Sequence, residues 1–237
     1  MKDEHKMEAE LMGELERLRR RPGELDASDI PDKRTEEELE QIVQKLRKAL
    51  GATIRILQSL VENRDPTTVG HQRRVSQLAC AIATEMGVSE EQTEAIRMAG
   101  SIHDLGKIFV PVEVLTKPGR LTESEFELVK THPEVPYEVL STVGFPWPVA
   151  DIVLQHHERV NGSGYPQGLS GAEIMVEAAI IAVADVVEAM AVERPYRPAK
   201  GVDKALQEIS QKRGILYDAK AVDACWVLFI EKGFEFE

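Results

Sequence analysis

The sequence predicts an all-α protein, and three observations lead there. Four capping-box spacings, Thr35 with Glu38, Ser89 with Gln92, Thr122 with Glu125 and Ser170 with Glu173, each stand ahead of an apolar pattern of helical period. Alternating β-branched runs bounded by hairpin turns are absent. The segment 178–192, AAIIAVADVVEAMAV, is long and apolar enough to be a helix buried on all sides.

Composition sets the outer bounds. The 237 residues are 30% charged, 43% hydrophobic and 5% aromatic, the balance of a globular protein with a sizeable core and an extension. A formal charge of −12 disfavours a nucleic-acid polymer, which needs clustered Lys and Arg, while a small anion needs only a local basic patch. Cys80 and Cys225 each lie in apolar helical segments and read as buried free thiols. The charged N-terminus does not look like a signal peptide, and no apolar stretch of about 18 residues suggests a membrane span, so a cytoplasmic protein is expected.

Along the chain, Leu11, Leu15 and Leu18 have helical spacing, interrupted by Pro22-Gly23 and Pro31, which gives a short helix and loop over 1–34. Helix restarts at Thr35. Leu39, Val43, Leu46, Leu50, Thr53, Leu57 and Leu60 then alternate steps of four and three, so 35–60 reads as a linker or signalling helix. That spacing fits a homodimer formed through this helix and contact with signalling partners, and it equally fits a helix whose last turns pack onto the following domain. Asp65 as N-cap and Pro66 at the first helical position predict another helix from there to about Met86.

Five of the six histidines, His71, His103, His132, His156 and His157, fall within the domain over 61–237, beside helix boundaries or other ionisable groups. Asp104 follows His103 in an apolar context, and Asp185 sits in the middle of the apolar run with no basic residue one turn away. A buried carboxylate costs several kcal/mol unless it is protonated, paired or bound to metal. Imidazole together with carboxylate suits borderline divalent ions, and the lack of candidate thiolates argues against a zinc finger. Adjacent histidines diverge by about 100° on a helix, so His156 and His157 at a helix end are suited to neighbouring positions on one metal.

The strings GHQRRV at 70–75, HDLGKIFVP at 103–111, LTKPGRLTESE at 115–125, THP at 131–133, HHERVNGSGYPQGL at 156–169, VADVVEAM at 183–190 and RPYRPA at 194–199 together resemble the HD-GYP domain family. This is a subgroup of the HD-domain metal-dependent phosphohydrolases, and nearly everything from about 60 to 230 is covered. The resemblance implies an HD-domain helical bundle with a buried binuclear metal site, preceded by an N-terminal helical extension, and hydrolysis of cyclic di-GMP. It implies that His71, His103, Asp104 and Asp185 hold one metal, and that Asp104, His132, His156 and His157 hold the other. Asp104 would bridge. Iron or manganese is the expected pair of divalent transition-metal ions. The glutamate that supplies a third ion in some members falls at Thr67, so two ions are expected; Asn161 stands where the family often has Asp.

The expected chemistry is in-line phosphodiester displacement by a hydroxide shared between the ions, giving linear pGpG, with further cleavage to GMP left open. Lys107, three residues after Asp104, is placed to neutralise developing charge. Arg194 and Arg197 flank a stiff turn made by Pro195 and Pro198 and are suited to grip phosphate bidentately. In NGSGYPQG, glycines allow close backbone approach and Pro166 stiffens the loop, which places Tyr165 at the substrate rim. Glu158 reads either as an acceptor for a metal-bound imidazole or as a solvated carboxylate. Two other readings stay open: a phosphodiesterase for another cyclic dinucleotide, such as cyclic GMP-AMP, and a non-catalytic nucleotide receptor or protein-interaction module.

Overall fold

A computed structural model of the chain describes residues 33–65, 69–192, 199 and 201–236. The expected helix at 1–34, apart from residues 33 and 34, and Pro66, Thr67, Arg194 and Arg197 therefore lie outside the described residues. The described residues are helical, with two isolated bridges and no strand. They divide into two compact units, one ending at Gly51 and one beginning at Ala52.

Helix α1 spans Lys33–Arg64, α2 His71–Glu85 and α3 Glu90–Ile102. A 3₁₀ turn over Leu105–Phe109 follows, and then the short α4 (Val112–Leu115), α5 (Glu123–Lys130), α6 (Val135–Leu140) and α7 (Val149–Gln155). The chain closes with α8 (Val176–Ala191), α9 (Val202–Gln211) and α10 (Ala219–Ile230).

The capping boxes divide in their outcome. Ser89 accepts from the Gln92 N–H and opens α3, and Thr122 with Glu125 forms the full reciprocal box that opens α5. Ser170 and Glu173 also form the full box, yet it opens only a 3₁₀ turn over Gly171–Glu173, because Ile174 goes extended at φ −80°, ψ 130°. Thr35 lies inside α1, which already runs at Lys33, so it is not a cap. The helix expected from Pro66 begins instead at His71. Its N-cap is Gly70, in the left-handed region at φ 69°, and the Gly70 N–H donates to Glu62 Oε1 at 2.6 Å.

The core belongs to the second unit. Leu78 and Ile82 of α2, Ile96 of α3, Ile152 of α7, Ile180 and Ile181 of α8 and Ile209 of α9 are fully buried. Each such side chain contributes about 1.5–3 kcal/mol relative to exposure. Helix α8 is apolar around most of its circumference and lies against α2, α3, α7, α9 and α10, as expected of a helix with no solvent face. Cys80 and Cys225 are buried free thiols. No helix among the described residues is long and apolar enough to cross a membrane. On α1, Val43, Leu46, Leu50 and Leu60 of the heptad row are exposed, whereas Ile54, outside that row, packs against the core.

Candidate metal centre

Four helix termini and one helix interior bring the histidines and aspartates together. His71 is the first residue of α2, His103 caps the C-terminus of α3, His132 follows α5, and His156 caps α7 with His157 beside it. Asp185 projects from the middle of α8, and Asp104 turns the chain from α3 into the 3₁₀ segment.

All seven predicted ligand residues converge. Asp104 stands between two sets: its Oδ2 lies 3.6 Å from both His71 Nε2 and His103 Nε2, and its Oδ1 lies 3.4 Å from His132 Nε2. Asp185 Oδ1 is 3.1 Å from His71 Nε2. On the other side His132 Nε2 and His156 Nε2 are 3.3 Å apart, and the His156 and His157 rings stack with centroids 4.0 Å apart and planes tilted by 41°. Among the described residues, ligand-type atoms gather into three clusters: His71, His103 and Asp185; His103, Asp104 and His156; and His132, His156 and His157. His71, His103, Asp104, His132 and His156 are buried.

Three of the imidazoles are aimed by the same device. His103 Nδ1 donates to the Gly100 carbonyl at 2.8 Å, His132 Nδ1 to Val129 at 2.7 Å and His156 Nδ1 to Val153 at 2.6 Å. Carbonyls in the last turn of a helix lack intrahelical partners, so each acceptor is available where the ring needs it. With the proton held at Nδ1, the Nε2 lone pair faces the centre. His103 Nε2 is buried and has no hydrogen-bond partner. A buried lone pair with nothing to bind is costly, and a divalent cation between these donors would satisfy it, so the residues present fit a metal.

Electrostatics agree with that fit at four of the five rings, while at His71, although burial opposes it, hydrogen bonds to Asp185 and Glu188 raise the metal-free ring to about 9, so this ring sheds a proton when it binds a metal. Burial, reinforced by neighbouring imidazoles, pushes His103, His156 and His157 below the ordinary histidine value, and burial brings His132 down to about 4. These rings are neutral, as ligands must be. Burial opposes ionisation of Asp104 and Asp185, yet the Lys107 ammonium holds Asp104, and a hydrogen bond with His71 holds Asp185, well below the usual carboxylate range. Lys107 Nζ donates to Asp104 Oδ2 at 2.7 Å and is mostly buried, so it is not a solvated helix-end cation.

The loop 161–170 borders this centre. Tyr165 lies over the His157 ring at 4.7 Å with planes inclined by 32°, its centroid is 6.5 Å from that of Phe126 with the planes near perpendicular, and Lys130 Nζ is 5.9 Å from the tyrosine ring. Glu158 behaves as neither sequence-based reading expects. It is buried, and its two oxygens accept the backbone N–H groups of Gln167 (2.7 Å), Gly168 (3.1 Å) and Leu169 (3.0 Å), tying the loop to the helix end that carries His156 and His157. Gly164 is obligatory there, since a Cβ at that position would lie 2.4 Å from Glu158 Cα. Asn161 closes an Asx turn within the loop, accepting from Ser163 N at 3.1 Å and Ser163 Oγ at 2.7 Å.

Sequence reasoning missed Glu188 and Arg74. Glu188, three residues beyond Asp185 on α8, is buried; it hydrogen-bonds His71 Nδ1 and accepts from Arg74 Nε at 2.8 Å. The signal was present in the same cost argument that singled out Asp185, a carboxylate inside an apolar run.

Comparison with known proteins bears on the family and the fold. Residues 55–221 match the HD domain family. The chain is 45% identical over 179 residues to the cyclic di-GMP phosphodiesterase response regulator RpfG of Xanthomonas campestris, covering 73% of this chain and 46% of that protein. It is 36% identical over 151 residues to 3'3'-cGAMP-specific phosphodiesterase 1 of Vibrio cholerae, covering 64% and 35% respectively. The chain thus spans less than half the length of either relative. Among solved structures, Bd1817, an HDGYP-type protein from Bdellovibrio bacteriovorus, shares the fold with a TM-score of 0.57 at 21% identity, over 69% of this chain and 52% of that one.

Proposed function

We propose, because the chain belongs to the HD-domain family, that it is a metal-dependent phosphodiesterase that hydrolyses cyclic di-GMP, with linear pGpG as the first product. The observation that carries the reading is the position of Asp104, whose two carboxylate oxygens face separate sets of imidazoles. In this reading His71, His103, Asp104 and Asp185 hold one ion, Asp104, His132, His156 and His157 hold the other, and iron or manganese fills both. Bound there, two divalent ions would supply an activated water and Lewis acidity toward the phosphodiester.

The chain's own residues supply the rest. Lys107, already against Asp104, offers a cation to the oxygen that gains charge as the P–O bond breaks. Tyr165 closes the side of the site next to His157, and Arg194 and Arg197 grip the phosphates bidentately. The catalytic unit is taken as 61–237, with 1–34 an N-terminal helix and loop. The segment 35–60 is taken as a signalling helix that joins two copies through its exposed Leu46 and Leu50.

A second reading, hydrolysis of cyclic GMP-AMP, is favoured by the likeness to the Vibrio cholerae protein, since groups that clamp phosphate do not by themselves select a base. Purified protein loaded anaerobically with iron or manganese tests both. Turnover of cyclic di-GMP with pGpG as first product supports the main reading, and preferential turnover of cyclic GMP-AMP supports the second. Nucleotide binding without product from either substrate would leave a receptor or interaction module.

A further inference from the structure

His71 differs from the other anchored histidines in where it sits on its helix. His103, His132 and His156 stand at C-terminal ends, where unsatisfied carbonyls lie within reach of Nδ1. His71 is the first residue of α2, so no turn of its own helix precedes it to offer a carbonyl. An N-terminus presents N–H groups, which do not accept. The acceptor must come from another element, and α8 provides it as Glu188.

We infer that Glu188 is the positioning residue for His71: its carboxylate fixes the proton on Nδ1 and turns Nε2 toward Asp104 and Asp185, while Arg74 neutralises the carboxylate from the opposite side. The two oxygens divide the work, Oε2 facing His71 and Oε1 facing the Arg74 guanidinium at 2.8 Å from Nε and 2.7 Å from the terminal nitrogen. Because Asp185 and Glu188 are three apart on one helix, the same turn of α8 supplies both a carboxylate beside His71 Nε2 and the acceptor behind His71 Nδ1. The two halves of the centre are therefore unlike. The half around His71 is backed by a carboxylate and an arginine, while His132 and His156 are backed by neutral main-chain carbonyls.

The inference rests on the reading of the seven side chains as a two-ion centre, and the experiment separates the two. The full chain is loaded anaerobically with manganese(II), and bound metal per chain, affinity by chelator competition and thermal midpoint are measured. Glu188→Gln, nearly isosteric and uncharged, is expected to weaken one of the two positions by about 10- to 100-fold and leave the other unchanged. Glu188→Asp, which keeps the charge and shortens the reach, is expected to fall between that variant and wild type. Arg74→Gln, which removes the ion pair but leaves the carboxylate behind His71, is expected to melt lower while keeping both positions.

Unchanged affinity at both positions in Glu188→Gln overturns the inference, as does equal metal loss in Arg74→Gln. If glutamine at 188 prevents folding, Glu188→Asp decides, and wild-type affinity at both positions overturns the role. Wild-type protein that binds no metal overturns the two-ion reading itself, an outcome distinct from two full positions that ignore Glu188.

Discussion

Lys107 Nζ donates at 2.7 Å to Asp104 Oδ2, the same oxygen that stands 3.6 Å from both His71 Nε2 and His103 Nε2. The lysine, on the 3₁₀ turn, is thus in contact with the carboxylate proposed to join the two halves of the centre. Lys107→Met is expected to lower kcat by about 10²–10³-fold, the usual loss for one donor aimed at developing charge, with metal content unchanged. Steady-state kinetics with metal analysis checks this; metal loss in the variant would assign Lys107 to holding the cage instead.

Asp104→Ala removes a carboxylate that faces both His71 and His132. Both metal content and turnover are expected to fall to background, and His103→Ala is expected to do the same. Normal turnover with full metal in either variant refutes the proposed centre.

Glu158→Gln keeps the size of the side chain but points an amide NH₂ toward backbone N–H donors that now meet a carboxylate. The loop bearing Tyr165 should loosen while His156 and His157 stay in place. The expected outcome is a several-fold rise in KM for cyclic di-GMP at unchanged metal content. A fall in bound metal with KM unchanged would show that the loop tether acts on the histidines.

The pH dependence of the metal-free chain has a defined sign. His132 is held at about 4 by burial, below the ordinary histidine value of 6.5, so between those values the unfolded chain binds more protons than the folded one. Its contribution to stability is complete above 6.5 and is lost as pH falls toward 4, at about 1.4 kcal/mol per pH unit. His103, His156 and His157 act in the same direction. His71 acts in the opposite one: although burial opposes it, hydrogen bonds to Asp185 and Glu188 raise it to about 9, and its contribution, complete below 6.5, is lost as pH rises toward 9. Thermal melts from pH 4 to 9 should therefore peak near neutrality, and His132→Asn should flatten the acid limb.

The residues of the centre were legible as a group rather than singly, five histidines beside helix boundaries or ionisable neighbours with two aspartates in apolar surroundings, and their division into two sets came from the family resemblance. His103 and Asp104 stand before a glycine at a helix end, and His156 and His157 run into a glycine-rich turn. Asp185 is conspicuous because a carboxylate amid apolar residues requires a partner. Glu188 satisfies the same criterion, but its partners His71 and Arg74 lie 117 and 114 positions away, so no local pattern announces the pairing. Secondary structure failed where a local signal was sound but incomplete. A capping box satisfies the first N–H groups of whatever follows, which is why Ser170 and Glu173 serve a 3₁₀ turn as well as Thr122 and Glu125 serve a helix. Asp65-Pro66 read as a helix start, and the positive φ at Gly70 delayed it to His71.

The rings of His103, His132 and His156 each donate to a last-turn carbonyl of the helix that ends beside them. Each ring is therefore also a plug for that helix, and deleting it exposes a frayed end as well as an empty ligand position. Alanine at these sites removes two functions with one substitution. Asparagine, whose amide can reach the same carbonyl, keeps the helix sealed and so isolates the loss of the ring.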